Sequence, residues 1–240
     1  MVEPVQRWRI AFRRSEPALD LGPAEIARAW ESGLAASGIP VVLSAAATPR
    51  PKLAFAAPLP AGRPAEHDLA DLVLGERWPL ARLRPALAEA LPDGFEVVDL
   101  YDVWLGAPAL AAALSASSHR ARLRGASSDE LSGAVATLLA TGALPRSRAR
   151  SDGQASYDLR PLILDLASRP ADLAGDNAAG SPLDGAAGAT LRVILRSSSD
   201  GPSGRPDEVI LSISEHLGRT LELVDLVRER LWTSDEAPVL

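Results

Sequence analysis

Near its start the chain carries the alternating stretch Arg7-Trp8-Arg9-Ile10-Ala11-Phe12-Arg13. In an extended strand, successive side chains point to opposite faces. Trp8, Ile10 and Phe12 therefore share one face, and the arginines share the other. The pattern predicts a half-buried strand whose arginines face away from the core.

Helix and strand signals alternate over the next hundred residues. Ile26, Trp30 and Leu34 recur every four residues and predict a helix that Gly38 ends. The other predicted elements are strand pieces at 41–44 and 52–56, a strand at 68–74, a helix marked by Leu80, Leu83, Leu87 and Leu91, and a strand at 95–104. The order β-α-β-β-α-β predicts a ferredoxin-like unit, in which two helices cover one face of an antiparallel sheet.

The second half of the chain shows the same order. Ser127 and Glu130 have the spacing of a capping box and predict the start of a helix that ends at Gly142. The other predicted elements are strands at 119–124, 157–166, 190–196 and 220–227 and a helix at 206–217. We therefore expect an α+β fold of two tandem ferredoxin-like units with antiparallel sheets. The first covers residues 1–107, a linker covers 108–118, and the second covers 119–240 with a mobile insertion near 169–189.

Composition narrows the classes of function. The 240 residues include no cysteine, so this chain forms no disulfide and offers no thiolate to zinc or to an iron–sulfur cluster. The net charge of −6 leaves only a local basic patch for nucleic-acid binding. Lys52 is the one lysine among 25 basic residues and alanine is abundant, which indicates a GC-rich bacterial genome. Because no run of about 18 apolar residues and no secretory signal is seen, we expect a cytoplasmic protein without membrane contact.

The main candidates for ligand binding are arginines on the first strand of each predicted unit. They are Arg7, Arg9 and Arg13 in the first unit and Arg120, Arg122 and Arg124 in the second. On a sheet face that helices leave open, guanidinium groups could bind phosphates or carboxylates. The alternative is a solvated face that nearby acids balance.

Three further basic segments are weaker candidates. Two prolines stiffen the loop that presents Arg50 and Lys52, which lowers the cost of ordering a contact, although a plain connector would have the same composition. Arg160 is either an anion clamp or the partner of Asp158, two residues away on one strand face. Residues 146–150 form a basic loop, either a solvated turn or an extension of a phosphate-binding strip.

No catalytic or metal site is predicted. His67, His119 and His216 stand alone, without the spacing of metal ligands. Asp68 and Asp71 are three residues apart, so a strand places them on opposite faces and they cannot act as a pair. We expect no cofactor in this chain.

Residues 48–62, 157–164 and 205–209 resemble the bacterial radical-SAM-linked protein family, a domain family of unknown function. Domains of that family are found beside, or fused to, radical S-adenosylmethionine proteins. The resemblance therefore implies such a protein as a partner. Residues 17–22 and 45–51 depart from the family because histidine-bearing segments are replaced by small or apolar residues.

We expect a non-catalytic accessory or substrate-binding protein of a radical S-adenosylmethionine enzyme that binds RNA through its arginine-bearing sheet faces. One alternative is an RNA-modifying enzyme of pseudouridine-synthase-like plan, with a cleft between the units and Asp68, Asp71 or Asp158 in it. A second alternative is a structural assembly module, which would expose an apolar sheet face.

Overall fold

The computed structural model describes residues 2–150, 153–170, 188–197, 201–236 and 238. Over these residues the chain is a mixed α+β protein with five α-helices and mainly antiparallel strand pairing. It divides into two compact units. Unit 1 consists of Met1–Leu114 and Arg228–Thr233, and unit 2 of Ser115–Val227 and Ser234–Leu240.

Unit 1 is a sheet with two long helices. Its elements are β1 (Gln6–Arg14), α1 (Pro23–Ala36), β2 (Leu53–Phe55), β3 (Ala65–Leu74), α2 (Leu80–Ala90), β4 (Phe95–Val103) and the short α3 (Leu110–Ala113). Strand β1 lies between β4 and β3, and it is antiparallel to both. The other edge of β3 pairs with β2 and, at Ala65, with Arg228 of the last strand.

The core of unit 1 follows from the spacing in α1. Pro23 occupies the first turn, and the side chain of Glu25 accepts the backbone N–H of Gly22 at 2.7 Å. Trp30 is fully buried and its ring lies 4.9 Å from the ring of Phe12 and 5.2 Å from that of Phe55, both in edge-on geometry. The apolar face predicted for β1 therefore packs against α1.

Unit 2 repeats a sheet with two helices. Its elements are β5 (Leu114–Arg124), α4 (Ser128–Ala140), β6 (Pro145–Arg150), β7 (Gly153–Asp158), β8 (Ile163–Pro170), β9 (Gly188–Arg196), α5 (Pro206–Leu217) and the first part of β10 (Glu222–Thr233), whose residues 228–233 belong to unit 1. The strand order is β10-β5-β9-β8, and β6 and β7 form a separate hairpin. The predicted capping box is present, because Ser127 Oγ accepts the Glu130 N–H and the Glu130 carboxylate accepts the Ser127 N–H.

Three elements of the second half differ from the prediction. The basic segment at 146–150 is not a loop but strand β6, which pairs with β7. The strand predicted at 157–166 is interrupted by a 3-10 turn, Arg160–Leu162, because proline at 161 supplies no backbone donor for a strand ladder. Strand β5 begins at Leu114 rather than at 119, since pairing with β9 outweighs the low strand propensity of its serines and alanines.

The predicted insertion and the ferredoxin-like assignment are not tested by the described residues. Most of the insertion predicted near 169–189 lies outside the described residues, which stop at 170 and resume at 188. The assignment of both units as ferredoxin-like is finer than an α+β class and stays a prediction.

Candidate functional site

The sheet of unit 2 has one face covered by helices and one that carries arginines. Leu123 and Leu191 point to the covered face, where they pack against Leu131 of α4 and Ile213 of α5. Neighbouring positions along each strand point the other way. The opposite face therefore receives the even-numbered residues of β5 and β9.

Strand register brings the arginines of this second face together. Arg120 of β5 lies directly opposite Arg192 of β9. In the next row, Arg122 lies opposite Thr190, which in turn lies opposite Arg169 of β8. Side chains in such direct pairs stand about 4.5–5.5 Å apart at their Cβ atoms, and like charges in this position destabilise a sheet. We call this surface the arginine face of unit 2. It comprises Arg120, Arg122, Arg124, Arg169, Arg192 and Arg196 on the described strands.

Carboxylates lie among the arginines of this face. Arg122 Nε lies 2.5 Å from Asp225 Oδ2, and Arg124 Nη1 lies 3.2 Å from Glu222 Oε1. Register also places Asp165 of β8 on this side, opposite Ile194. Six arginines thus face three carboxylates on the described strands of unit 2, in a chain whose total charge is −6.

The arginines of β1 are placed differently. Arg7 and Arg9 are each only 8 % exposed, and both donate to Asp71 of β3. Arg7 Nε lies 2.8 Å from Asp71 Oδ2, and Arg9 Nε lies 2.9 Å from Asp71 Oδ1. The predicted side of the strand is right, but the expectation that these two arginines are exposed to a partner is wrong.

The segment that follows β4 explains this burial. Arg7 also donates to the carbonyl oxygens of Ala107 and Pro108, at 2.9 and 2.8 Å. Leu110 of α3 then packs against Ala11 and Leu69 on the same face of the sheet. The predicted linker therefore covers the face that was expected to stay open.

The other predicted residues of unit 1 lie at its surface. Arg13 is exposed, and its Nη1 lies 2.8 Å from Glu96 Oε2. Lys52 and Arg50 are also exposed. Arg50 Nη1 lies 3.8 Å from Glu31 Oε2. Nothing in unit 1 gathers these cations into one patch among the described residues.

Arg160 in unit 2 has a structural role. Its guanidinium donates to the carbonyl of Leu139 at 2.9 Å, in the last turn of α4, and to that of Ile163 at 3.3 Å. A cation in this position satisfies carbonyls that the helix leaves unbonded. Asp158 accepts the backbone N–H of Leu144 and that of Arg160 at 2.7 and 3.0 Å.

The β6–β7 hairpin is held to α5 by a polar cluster. Arg148 Nη2 lies 2.7 Å from Glu208 Oε2, which also accepts the Tyr157 hydroxyl. Burial raises the pKa of Tyr157, and the hydrogen bond to Glu208 adds to the effect. Burial opposes ionisation of Glu208, but the hydrogen bonds from Arg148 and Tyr157 outweigh it and lower its pKa. Arg148 of this basic segment therefore serves packing in unit 2.

A small pocket in unit 1 contains Asp68, which the sequence analysis named only for the enzyme alternative. Asp68 lies on β3 opposite Phe12, on the other face from Asp71, as the three-residue spacing predicts. It is 2 % exposed, and Arg228 Nη1 donates to its Oδ2 at 2.9 Å. Burial raises the pKa of Asp68, although the Arg228 guanidinium opposes this. The available signal was an aspartate in phase with the apolar residues Ala70, Leu72 and Leu74 of the strand, since such a buried group needs a partner.

The described part of the chain has neither a metal-binding cluster nor a membrane-spanning helix. No three His, Asp or Glu side chains cluster closely enough there to hold a metal ion. None of the described helices combines the length and the apolar character needed to cross a bilayer.

Comparison with known proteins gives a family and likenesses to solved structures. A search of curated proteins found none that matches the sequence. Among solved structures, a chain of the crystal structure of a Cbf5-Nop10-Gar1 complex is similar at 9 % identity with a TM-score of 0.49. The alignment covers 92 % of this chain and 49 % of that chain, so this chain spans about half of its length.

Residues 7–200 match the model of a family described as uncharacterized protein conserved in bacteria (DUF2344). That description names no radical S-adenosylmethionine protein. The match takes in β1 and β3 of unit 1 and the three strands β5, β8 and β9 that form the arginine face of unit 2. The chain therefore belongs to this family of uncharacterized bacterial proteins.

Proposed function

We propose that this protein is a non-catalytic binding protein that holds single-stranded RNA on the arginine face of unit 2. The observation that carries the proposal is the register of β5 and β9, which sets Arg120 directly opposite Arg192. A phosphate between the two guanidinium groups would accept charge-assisted hydrogen bonds from both. Several guanidinium groups lie along neighbouring strands of this face. They can therefore bind successive phosphates of a nucleic-acid backbone, whereas one small anion would bind only one or two of them.

Burial supports the same face. Arg122 and Arg124 keep 27 % and 36 % of their side-chain surface exposed, whereas Arg7 and Arg9 keep 9 % each. Binding an anion to the half-exposed arginines requires no rearrangement of a buried ion pair. The proposal therefore assigns RNA binding to Arg120, Arg122 and Arg124 and removes Arg7 and Arg9 from that role.

The two alternatives have less support. A structural module would present an apolar sheet face, but the second face of unit 2 carries six arginines on its described strands. An RNA-modifying enzyme would need a reactive carboxylate. Asp71 is enclosed by Arg7 and Arg9. Asp158 and Asp68 each line a pocket, but Asp158 accepts two backbone N–H groups and Asp68 is bonded to Arg228.

The accessory role beside a radical S-adenosylmethionine protein is kept as part of the proposal, since the sequence resemblance implies it. It is tested by purifying the chain from its native cells and identifying the proteins and RNA that remain bound. Such a protein should be recovered together with RNA. Recovery of RNA alone would remove the partner and leave the binding function.

The RNA interaction is tested with a single-stranded RNA oligomer titrated at several salt concentrations. The double variant Arg120→Ala/Arg192→Ala should bind more weakly, and the slope of log K against log salt should flatten by about 0.7 for each lost phosphate contact. The matched control Arg13→Ala/Arg50→Ala removes the same charge from exposed positions of unit 1 and should leave the slope unchanged. Equal slopes for the two double variants, or preference for an acidic peptide over RNA, would contradict the proposal.

A further inference from the structure

The pocket beside Asp68 in unit 1 has the size of a single ring. Its volume is about 130 Å3, which is room for about four water molecules at roughly 30 Å3 each. Most of its wall is apolar, and Phe12 and Phe55 supply two aromatic rings with centroids 6.0 Å apart. The remaining lining residues are Arg14, Pro23, Ile26, Ala57, Pro58, Leu59 and Asp68.

Asp68 is the polar group in this wall with bonding capacity to spare. Its Oδ1 accepts the backbone N–H of Leu69 at 2.9 Å, and its Oδ2 accepts Arg228 Nη1 at 2.9 Å. A carboxylate offers about four lone-pair positions, so acceptor sites remain. A protonated carboxyl group could also donate, and burial favours that form.

Arg14 lies in the same wall but has no donor to spare. Its guanidinium carries five N–H groups, and Nε, Nη1 and Nη2 all donate to backbone carbonyls. These carbonyls belong to Ala18, Leu19, Leu21, Leu59 and Pro60. Arg14 therefore fixes the wall and does not bind the occupant directly.

These charges exclude two classes of ligand. A cation would be repelled because Arg14 and Arg228 together outweigh Asp68. An anion would find no donor, because the N–H groups of Arg14 are all bonded to backbone carbonyls and Arg228 does not line the pocket. The remaining class is neutral.

We propose that this pocket binds one neutral heteroaromatic ring that presents an adjacent N–H donor and acceptor to Asp68 and its faces to the aromatic wall. The pattern is that of the pairing edge of a pyrimidine base. The donor of the ring bonds one carboxyl oxygen, and Phe12 and Phe55 hold the ring by packing. This inference does not depend on RNA binding at unit 2, because every residue that it uses belongs to unit 1.

The test titrates the full chain with free uracil, with cytosine and with toluene, and follows binding by ligand-observed NMR. The variant Ala57→Leu fills the pocket from a partly exposed position. The variant Asp68→Asn keeps the shape of the side chain but changes the pattern of donors and acceptors. Ala111→Leu, at an exposed position of α3, is the matched control.

We expect at least one of the two bases to bind the wild-type chain and the Ala111→Leu control equally. Ala57→Leu should abolish binding, and Asp68→Asn should weaken it about tenfold. Binding of toluene alone would make this an apolar cavity without a role for Asp68 and would overturn the proposal. Failure of both bases to bind would overturn it as well, and loss of RNA binding in Arg120→Ala/Arg192→Ala would leave it untouched.

Discussion

Strands β1 and β5 open their units with the same arrangement of arginines, and the two units use it differently. Arg9 of β1 lies opposite Asp71, whereas Arg120 of β5 lies opposite Arg192. In unit 1 a single carboxylate on the neighbouring strand binds two guanidinium groups and allows both to be buried. The cross-strand carboxylate and the covering segment after β4 together make the arginines of β1 part of the interior, whereas Arg122 and Arg124 of β5 stay partly exposed.

The largest change in stability should come from removing the carboxylate that pairs with the buried arginines of β1. Asp71→Ala leaves Arg7 and Arg9 buried without their carboxylate, and loss of one partner of a buried ion pair costs about 3–5 kcal/mol. Urea denaturation should show this loss as a lower midpoint. The matched variant Asp225→Ala, which frees the half-exposed Arg122, should cost about 1 kcal/mol or less. Similar losses in both variants would mean that burial does not separate the two arginine rows.

A smaller effect should follow from giving β5 the partner that β1 has. Arg192→Asp sets a carboxylate opposite Arg120, and an opposite-charge cross-strand pair contributes roughly 0.2–1 kcal/mol. We expect loss of RNA binding, because the new carboxylate pairs with Arg120 and repels phosphate. Arg192→Gln, which removes the positive charge without adding a negative one, separates the loss of one cation from the effect of the new carboxylate. Unchanged RNA affinity in Arg192→Asp would contradict the role given to this face.

The smallest effect is the change of stability with pH that two carboxyl groups produce. Hydrogen bonds from Arg219 and from Ser127 lower the pKa of the exposed Glu130 in unit 2 to about 2. Because this value lies below that of the unfolded chain, near 4.5, the contribution of Glu130 to stability is present above pH 4.5 and is lost as the pH falls toward 2.

Asp68 in unit 1 has the opposite sign, because burial raises its pKa above the ordinary 3.8. The folded chain then holds this proton more tightly than the unfolded chain, so the contribution of Asp68 declines as the pH rises from 3.8 through the folded value. Carboxyl NMR titration should show Glu130 losing its proton first and Asp68 later. The reverse order would refute both assignments.

Local patterns were sufficient for features that depend on neighbours in sequence. The four-residue spacing of Ile26, Trp30 and Leu34 predicted the buried face of α1, and Ser127 with Glu130 predicted the start of α4. These signals succeed because a helix repeats every 3.6 residues and its first turn needs a cap.

The candidate sites depend on residues that are far apart in sequence, so periodicity could not predict them. Arg7 is 64 positions from Asp71, and Asp68 is 160 positions from Arg228. Alternation assigned the arginines of β1 to the correct face, but it contains no information about what covers that face. The register of β5 against β9, which sets Arg120 opposite Arg192, likewise appears only when the strands pair.

The last strand has a consequence for the order in which the chain can fold during synthesis. Residues 222–227 of β10 belong to unit 2, and residues 228–233 belong to unit 1. Arg228 bonds the Asp68 carboxylate and the carbonyls of Ala57 and Pro58, and its backbone N–H donates to Pro64. A ribosome that has released the first 114 residues has therefore delivered a unit whose buried aspartate still lacks its cation. Unit 1 reaches its final form only after residues 115–227 of unit 2 and its own last segment, 228–233, have been translated.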